Sequence, residues 1–188
     1  MVAAFSTFAN KGIYIKPQLI TRIEDKNGNV IFESIPETHD VLNQDIAYAV
    51  IKLMEGVTED GTGTRLRWGG AGFTKYNYQF TNPIAGKTGT TQNNSDGWFM
   101  GIVPNLCTGV WVGCEDRSAR FRSTSMGQGA TMALPIWGLY MDKCYKDDKL
   151  NVSKEAFDRP KNISIKVDCW KPVKDTLDFD QEVDEFNF

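Results

Sequence analysis

Histidine is almost absent from this chain: His39 is the one imidazole among 188 residues. The four cysteines, Cys107, Cys114, Cys144 and Cys169, show no Cys-x-x-Cys spacing, so no zinc set is written into the sequence. Neither a metal nor a cofactor is expected. The cysteines read as small buried hydrophobes, and in an oxidising compartment Cys144 with Cys169 is the pair to test. Long apolar runs are missing as well. A membrane span needs about 18–20 apolar residues, and the longest candidate, Ala133 to Met141, is half that length and interrupted by Pro135. The start, Met1-Val2-Ala3-Ala4-Phe5, has neither the basic region nor the cleavage site of a secretory leader. Read alone, the chain is soluble; read as a fragment, its targeting elements lie elsewhere. A large excess of either charge is lacking too, the net being −3. Six acids and no base fall between Asp175 and Phe188, and without them 21 bases face 18 acids. That balance is too weak to expect nucleic acid as a partner, and the acidic end reads as a solvated tail.

What the chain does have is 41% apolar residues, enough for a real core. Met1 to Asn10 is helix-compatible and stops at Lys11-Gly12. Ile13 to Ile15, Leu19 to Ile23 and Val30 to Phe32 read as strands, with Asn27-Gly28 as a hairpin turn between the last two. Pro36 to Asp40 reads as a connection, with His39 exposed on it. Ile46, Val50, Leu53, Met54 and Val57 fall at helical spacing and predict a helix over Asn43 to Gly56. Gly61-Thr62-Gly63-Thr64 is a glycine-rich turn, followed by a short helix at Arg65 to Trp68.

Three strands are predicted next, over Pro83 to Thr91, Gly97 to Val103 and Thr108 to Gly113, with Pro104-Asn105 as a turn. Their apolar runs, which include Trp98, Phe99, Ile102, Val103, Val110, Trp111 and Val112, predict strands covered on both faces, with Trp98 and Trp111 as core. Arg117, Arg120 and Arg122 read as a solvated basic loop and Ser123 to Gly129 as a polar loop. A helix is predicted from Thr131 to Cys144, with Pro135 in its first turn. Beyond Lys146 the pattern predicts an extended tail with one strand near Ile163 to Val167.

The chemistry concentrates in Ile84-Ala85-Gly86-Lys87-Thr88-Gly89-Thr90-Thr91. Lys87 supplies a positive charge beside which a carboxylate or a developing oxyanion is favoured. The hydroxyls of Thr88 and Thr90 can donate to that carboxylate. Gly89 lets a ligand backbone approach closely, and the Thr90 backbone N–H is a candidate oxyanion-hole donor. A P-loop is excluded, because Thr81 stands where that motif needs a glycine and Gly89, Asn93, Asn94 and Gly97 argue against the helix that must follow.

The wider pattern resembles the class A (bifunctional) penicillin-binding proteins. It comprises the lysine motif, Asp96-Gly97-Trp98-Phe99-Met100-Gly101, Pro104-Asn105-Leu106 and Gly109-Val110-Trp111-Val112-Gly113. Ala4 to Tyr14 is similar to the helix–turn–strand of that family, Gly61-Thr62-Gly63-Thr64 to its glycine-rich loop, and Ala133 to Trp137 to its last helix. The resemblance implies an α+β chain holding part of the serine β-lactamase/D,D-transpeptidase fold. Residues 1–146 would form the C-terminal portion of that domain and residues 147–188 a polar, acidic tail. It implies Lys87, Thr88, Gly89 and Thr90 as binding residues, with Lys87 and the Thr90 N–H also acting in catalysis. The implied ligands are a peptidoglycan stem peptide ending in D-Ala-D-Ala and β-lactam antibiotics. The implied parent is membrane-anchored at the bacterial cytoplasmic membrane, faces the periplasm or cell exterior, and carries a glycosyltransferase. The family also uses Ser-x-x-Lys and Ser-x-Asn or Ser-Asp-Asn motifs, and no serine here begins either. The chain by itself is therefore expected to lack nucleophile and base and to be inactive. A non-catalytic peptide-binding module and a serine β-lactamase relative are the alternatives.

Overall fold

The computed structural model describes residues 1–68 and 76–167. Helix α1 (Val2–Ala9) ends where Lys11 and Gly12 take positive φ, and strand β1 (Ile13–Ile15) follows. A Cβ on Gly12 would fall 2.0 Å from the Leu42 carbonyl oxygen, so only glycine fits this turn. Strands β2 (Arg22–Glu24) and β3 (Val30–Glu33) form the hairpin expected around Asn27-Gly28, though through a longer turn. The Asp25 carboxylate closes that turn, accepting from Asn27 N, Asn29 N and Asn29 Nδ2. These bonds, led by the one from the Asn29 side chain, hold its carboxyl below the usual range.

Strand β4 (Thr38–Asp40) is a correction, since it occupies the expected connection. It pairs antiparallel with β1, placing His39 opposite Tyr14. Helix α2 (Gln44–Glu59) runs past Gly56, where the sequence reading ends it. The exposed Gly56 gives up about 1 kcal/mol of helix propensity, which the buried Ile51, Met54 and Thr58 outweigh. Helix α3 (Arg65–Trp68) lies where it is expected.

The centre is an antiparallel meander of β5 (Ala85–Thr90), β6 (Asp96–Val103) and β7 (Leu106–Gly113), in that order. Alternation along the strands sends side chains to two separate cores. Ala85 and Ile102 pack with Ile51 and Met54 of α2, flanked by Phe5 and Phe8 of α1. Ile84, Phe99 and Val103 pack with Leu134, Trp137 and Met141 on the opposite face. These last three belong to helix α5 (Gly129–Lys146), which follows the short α4 (Thr124–Gly127). Each fully buried large side chain of this kind contributes about 1.5–3 kcal/mol. Gly101 carries no Cβ because one there would lie 2.2 Å from the Trp137 ring.

Several expectations change. Helix α5 starts at Gly129 and not at Thr131, so Pro135 falls in its second turn and not its first. The loop from Ser123 contains α4. Trp111 is 46% exposed, so it is not core, although Trp98 beside it is half-buried. Cys144 is buried and Cys107 half-buried, but Cys114 is exposed, against the reading of all cysteines as buried. No strand forms at 163–167. Cys169, and with it the suggested pair with Cys144, lies outside the described residues, as does the acidic stretch at 175–188. No helix among the described residues is long and apolar enough to cross a membrane.

Candidate functional site

Strand β5 borders the meander, with β6 on one side only. The Thr91 N–H donates to Asp96 O at 3.1 Å, which makes these two a hydrogen-bonded pair of the ladder. The antiparallel period of two then turns the N–H and C=O of Gly89 and Lys87 toward β6, and those of Thr88 and Thr90 toward the open side. At the strand's start α2 covers this side, the buried Thr58 hydroxyl donating to Ile84 O at 2.6 Å. Arg67 braces the approach to the strand. Its guanidinium donates to Asn82 O at 2.6 Å, Phe80 O at 3.1 Å and Thr58 Oγ1 at 3.0 Å.

The four site residues predicted from sequence are thus brought together, but the pleat divides them. Gly89 and Lys87 share the face of Ala85, next to α1, where an apolar recess is lined by Met1, Phe5, Trp98 and Met100. Thr88 and Thr90 share the face of Ile84, next to α5. The two sets meet at the open edge, where the Lys87 ammonium bends round to donate to Thr88 O at 2.8 Å and Thr88 also borders the apolar recess.

Two hydroxyl contacts on the α5 side have no counterpart in the sequence reading. Thr90 Oγ1 accepts from the Gly129 N–H at 3.0 Å. Thr88 Oγ1 lies 2.7 Å from Thr62 Oγ1, on the glycine-rich turn. Arg65, three residues on, donates to Thr131 Oγ1 at 2.9 Å and so ties that turn to the first turn of α5. The sequence signal for these partners was the glycine-rich turn itself, which the pattern placed but could not aim. A Cβ on Gly89 would meet Trp98 Cβ at 3.2 Å, so the strand is bare on that face by close approach.

The other residues singled out stay apart. Arg117, Arg120 and Arg122 are exposed on the loop after β7, as read. His39 is exposed and bonds Glu37 Oε1 at 3.1 Å. Among the described residues no three His, Cys, Asp or Glu side chains group as a metal site. The edge can therefore offer one ammonium, two threonine hydroxyls and the outward backbone groups of Thr88 and Thr90 to an extended, anionic ligand.

Comparison with known proteins shows what the chain is similar to. The penicillin binding protein transpeptidase domain family matches residues 1–114. Penicillin-binding protein 1A of Aquifex aeolicus is 36% identical over 141 residues, covering 75% of this chain and 18% of that protein. Penicillin-binding protein 1A of Clostridium acetobutylicum is 31% identical over 165 residues, covering 87% of this chain and again 18% of that protein. Among solved structures, the PonA1 protein from Mycobacterium tuberculosis in complex with penicillin V superposes with a TM-score of 0.64 at 27% identity. That match covers 86% of this chain and 40% of that one. The chain therefore spans a small part of its relatives' length, and over that part the family match, the sequence identity and the α+β architecture agree: it belongs to the penicillin-binding protein transpeptidase family.

Proposed function

We propose that this chain is the C-terminal portion of a serine-type D,D-transpeptidase domain that cross-links peptidoglycan stem peptides and is trapped by β-lactams. The open edge of β5 carries the reading: an extended ligand can add there as a strand, antiparallel to β5, using the outward backbone groups of Thr88 and Thr90. Its terminal carboxylate would meet the Thr88 and Thr90 hydroxyls, with Lys87 as the nearby cation. Residues 1–146 act as one unit in this reading, because α5 packs on the sheet and donates to Thr90.

In the reaction, a serine oxygen attacks the carbonyl of the penultimate D-Ala. The oxyanion that forms is held in part by the Thr90 N–H, a donor whose loss costs about 10²–10³ in rate. Collapse expels the terminal D-Ala as its amine and leaves an acyl-serine, which the amine of a second stem peptide resolves to regenerate the serine. The nucleophile and its base come from Ser-x-x-Lys and Ser-x-Asn motifs that this chain does not contain. The parent would be anchored at the bacterial cytoplasmic membrane, face outward, and carry a glycosyltransferase.

Incubation with a fluorescent penicillin, followed by mass spectrometry, tests this. The full-length protein encoding this segment should carry the adduct on a serine upstream of Met1, and the isolated chain should carry none. An adduct on any serine of the isolated chain overturns the assignment, as does an upstream reading frame without a Ser-x-x-Lys motif.

A further inference from the structure

Thr62 lies 26 residues before Thr88, outside the lysine strand, yet its Oγ1 stands 2.7 Å from Thr88 Oγ1. Its turn is anchored on both sides. Gly63 N donates to Val57 O at 2.8 Å, Leu66 N donates to Gly63 O at 3.0 Å, and Arg65 Nη1 reaches Thr131 Oγ1 at 2.9 Å. The backbone thus holds Thr62 in place while its side chain stays exposed beside the open strand.

A hydroxyl has one proton to donate and two lone pairs to accept with, whereas a carboxylate only accepts. If the Thr88 proton goes to a carboxylate, the contact between the two threonines must run with Thr62 as donor. The same polarity is already set at Thr90, whose oxygen accepts from the Gly129 N–H. Each threonine oxygen then takes a hydrogen bond from another element, and its own proton is left for the ligand. Aligned bonds of this kind also strengthen one another. Without the Thr62 hydroxyl, Thr88 loses the donor that sets its direction and can turn to another acceptor.

We propose that Thr62 is a positioning residue of the carboxylate subsite, orienting the Thr88 hydroxyl toward a ligand carboxylate; this rests on the D,D-transpeptidase reading above. The test uses the full-length protein and two side-chain-labelled fluorescent penicillins, one with its carboxylate free and one as the methyl ester. Thr62→Val should slow acylation by the free acid about tenfold, the scale of a weakened hydrogen bond to a charged group. Its rate with the ester and its melting temperature should match those of the unsubstituted protein, and Thr62→Ser should restore the rate with the acid. An unchanged rate with the acid, or equal losses on acid and ester, overturns the role of Thr62 and leaves the transpeptidase reading standing. Failure of the unsubstituted protein to react with either compound overturns that reading, and this inference with it.

Discussion

The Thr90 hydroxyl oxygen lies 3.0 Å from the Gly129 amide nitrogen, so one hydrogen bond joins the end of the lysine strand to the start of helix α5. Gly129 is the first residue of that helix, where amide N–H groups have no partner within the helix. The strand thus satisfies an orphan donor, and the helix fixes a hydroxyl at the open edge.

Gly129→Ala should break this junction. A Cβ there would stand 2.4 Å from both Gly89 O and Trp98 O, and these atoms belong to the β5–β6 ladder and cannot step aside. A loss of about 2 kcal/mol or more is expected in urea unfolding, and a midpoint equal to that of the unsubstituted chain would contradict the packing described.

Arg67→Leu should destabilise the approach to β5. The guanidinium serves the carbonyls of Phe80 and Asn82 and the hydroxyl of Thr58, a residue with no exposed surface. Burial lowers the Arg67 pKa from its ordinary value, so these bonds come from a partly desolvated cation. Removing it strands several acceptors, at about 1–3 kcal/mol for each one left unsatisfied. Calorimetric melting would register the loss, and a Lys substitution should recover only part of it.

Thr108→Val tests the α5 side of the sheet. The indole N–H of the fully buried Trp137 donates to Thr108 Oγ1 at 2.6 Å. Valine keeps the shape but leaves the indole N–H unpaired, which should cost about 1–3 kcal/mol in thermal or urea unfolding. Thr108→Ser should stay close to the parent.

The cysteines should separate by reactivity. Burial pushes the Cys107 thiol up to about 11, whereas Cys114 is exposed. At pH 8 a shift of this size leaves about a hundredfold less thiolate than an ordinary cysteine would have. Iodoacetamide should therefore label Cys114 well before Cys107, as read by peptide mapping. The folded state holds the Cys107 proton more tightly than the unfolded chain, whose value is near 9.0. The stability this thiol contributes is complete below pH 9.0 and is lost as the pH rises toward about 11. Faster labelling of Cys107 at pH 8 would contradict its burial.

Much of the fold was legible because its signals are local. The apolar runs around Trp98 to Val103 and Val110 to Val112 marked two of the central strands, the 3.6-residue spacing from Ile46 to Val57 marked α2, and Lys11-Gly12 marked the end of α1. The misreadings share a cause. Gly56 reads as a helix stop, yet packing by Met54 and Thr58 carries α2 past it. Thr38 to Asp40 has no strand-like pattern, yet pairing with β1 makes it one. Pro135 sits deeper in α5 than propensity favours because Gly129 is bound to Thr90 and Trp137 and Met141 are buried against the sheet. Tertiary contacts overrode propensity at each of these positions.

The sequence by itself determined the strand carrying Lys87, Thr88, Gly89 and Thr90, its resemblance to a transpeptidase wall, and the missing serine motifs, since all are properties of residues adjacent along the chain. Only the tertiary structure decided that Lys87 faces α1 while Thr88 and Thr90 face α5, because a pattern of period two sets alternation without saying what covers either face. It alone brought Thr62, Arg65 and Gly129 to the site, through contacts 26, 66 and 39 residues apart in sequence. Contacts of that span leave no periodic trace, since they depend on how whole elements pack and not on the order of neighbouring residues.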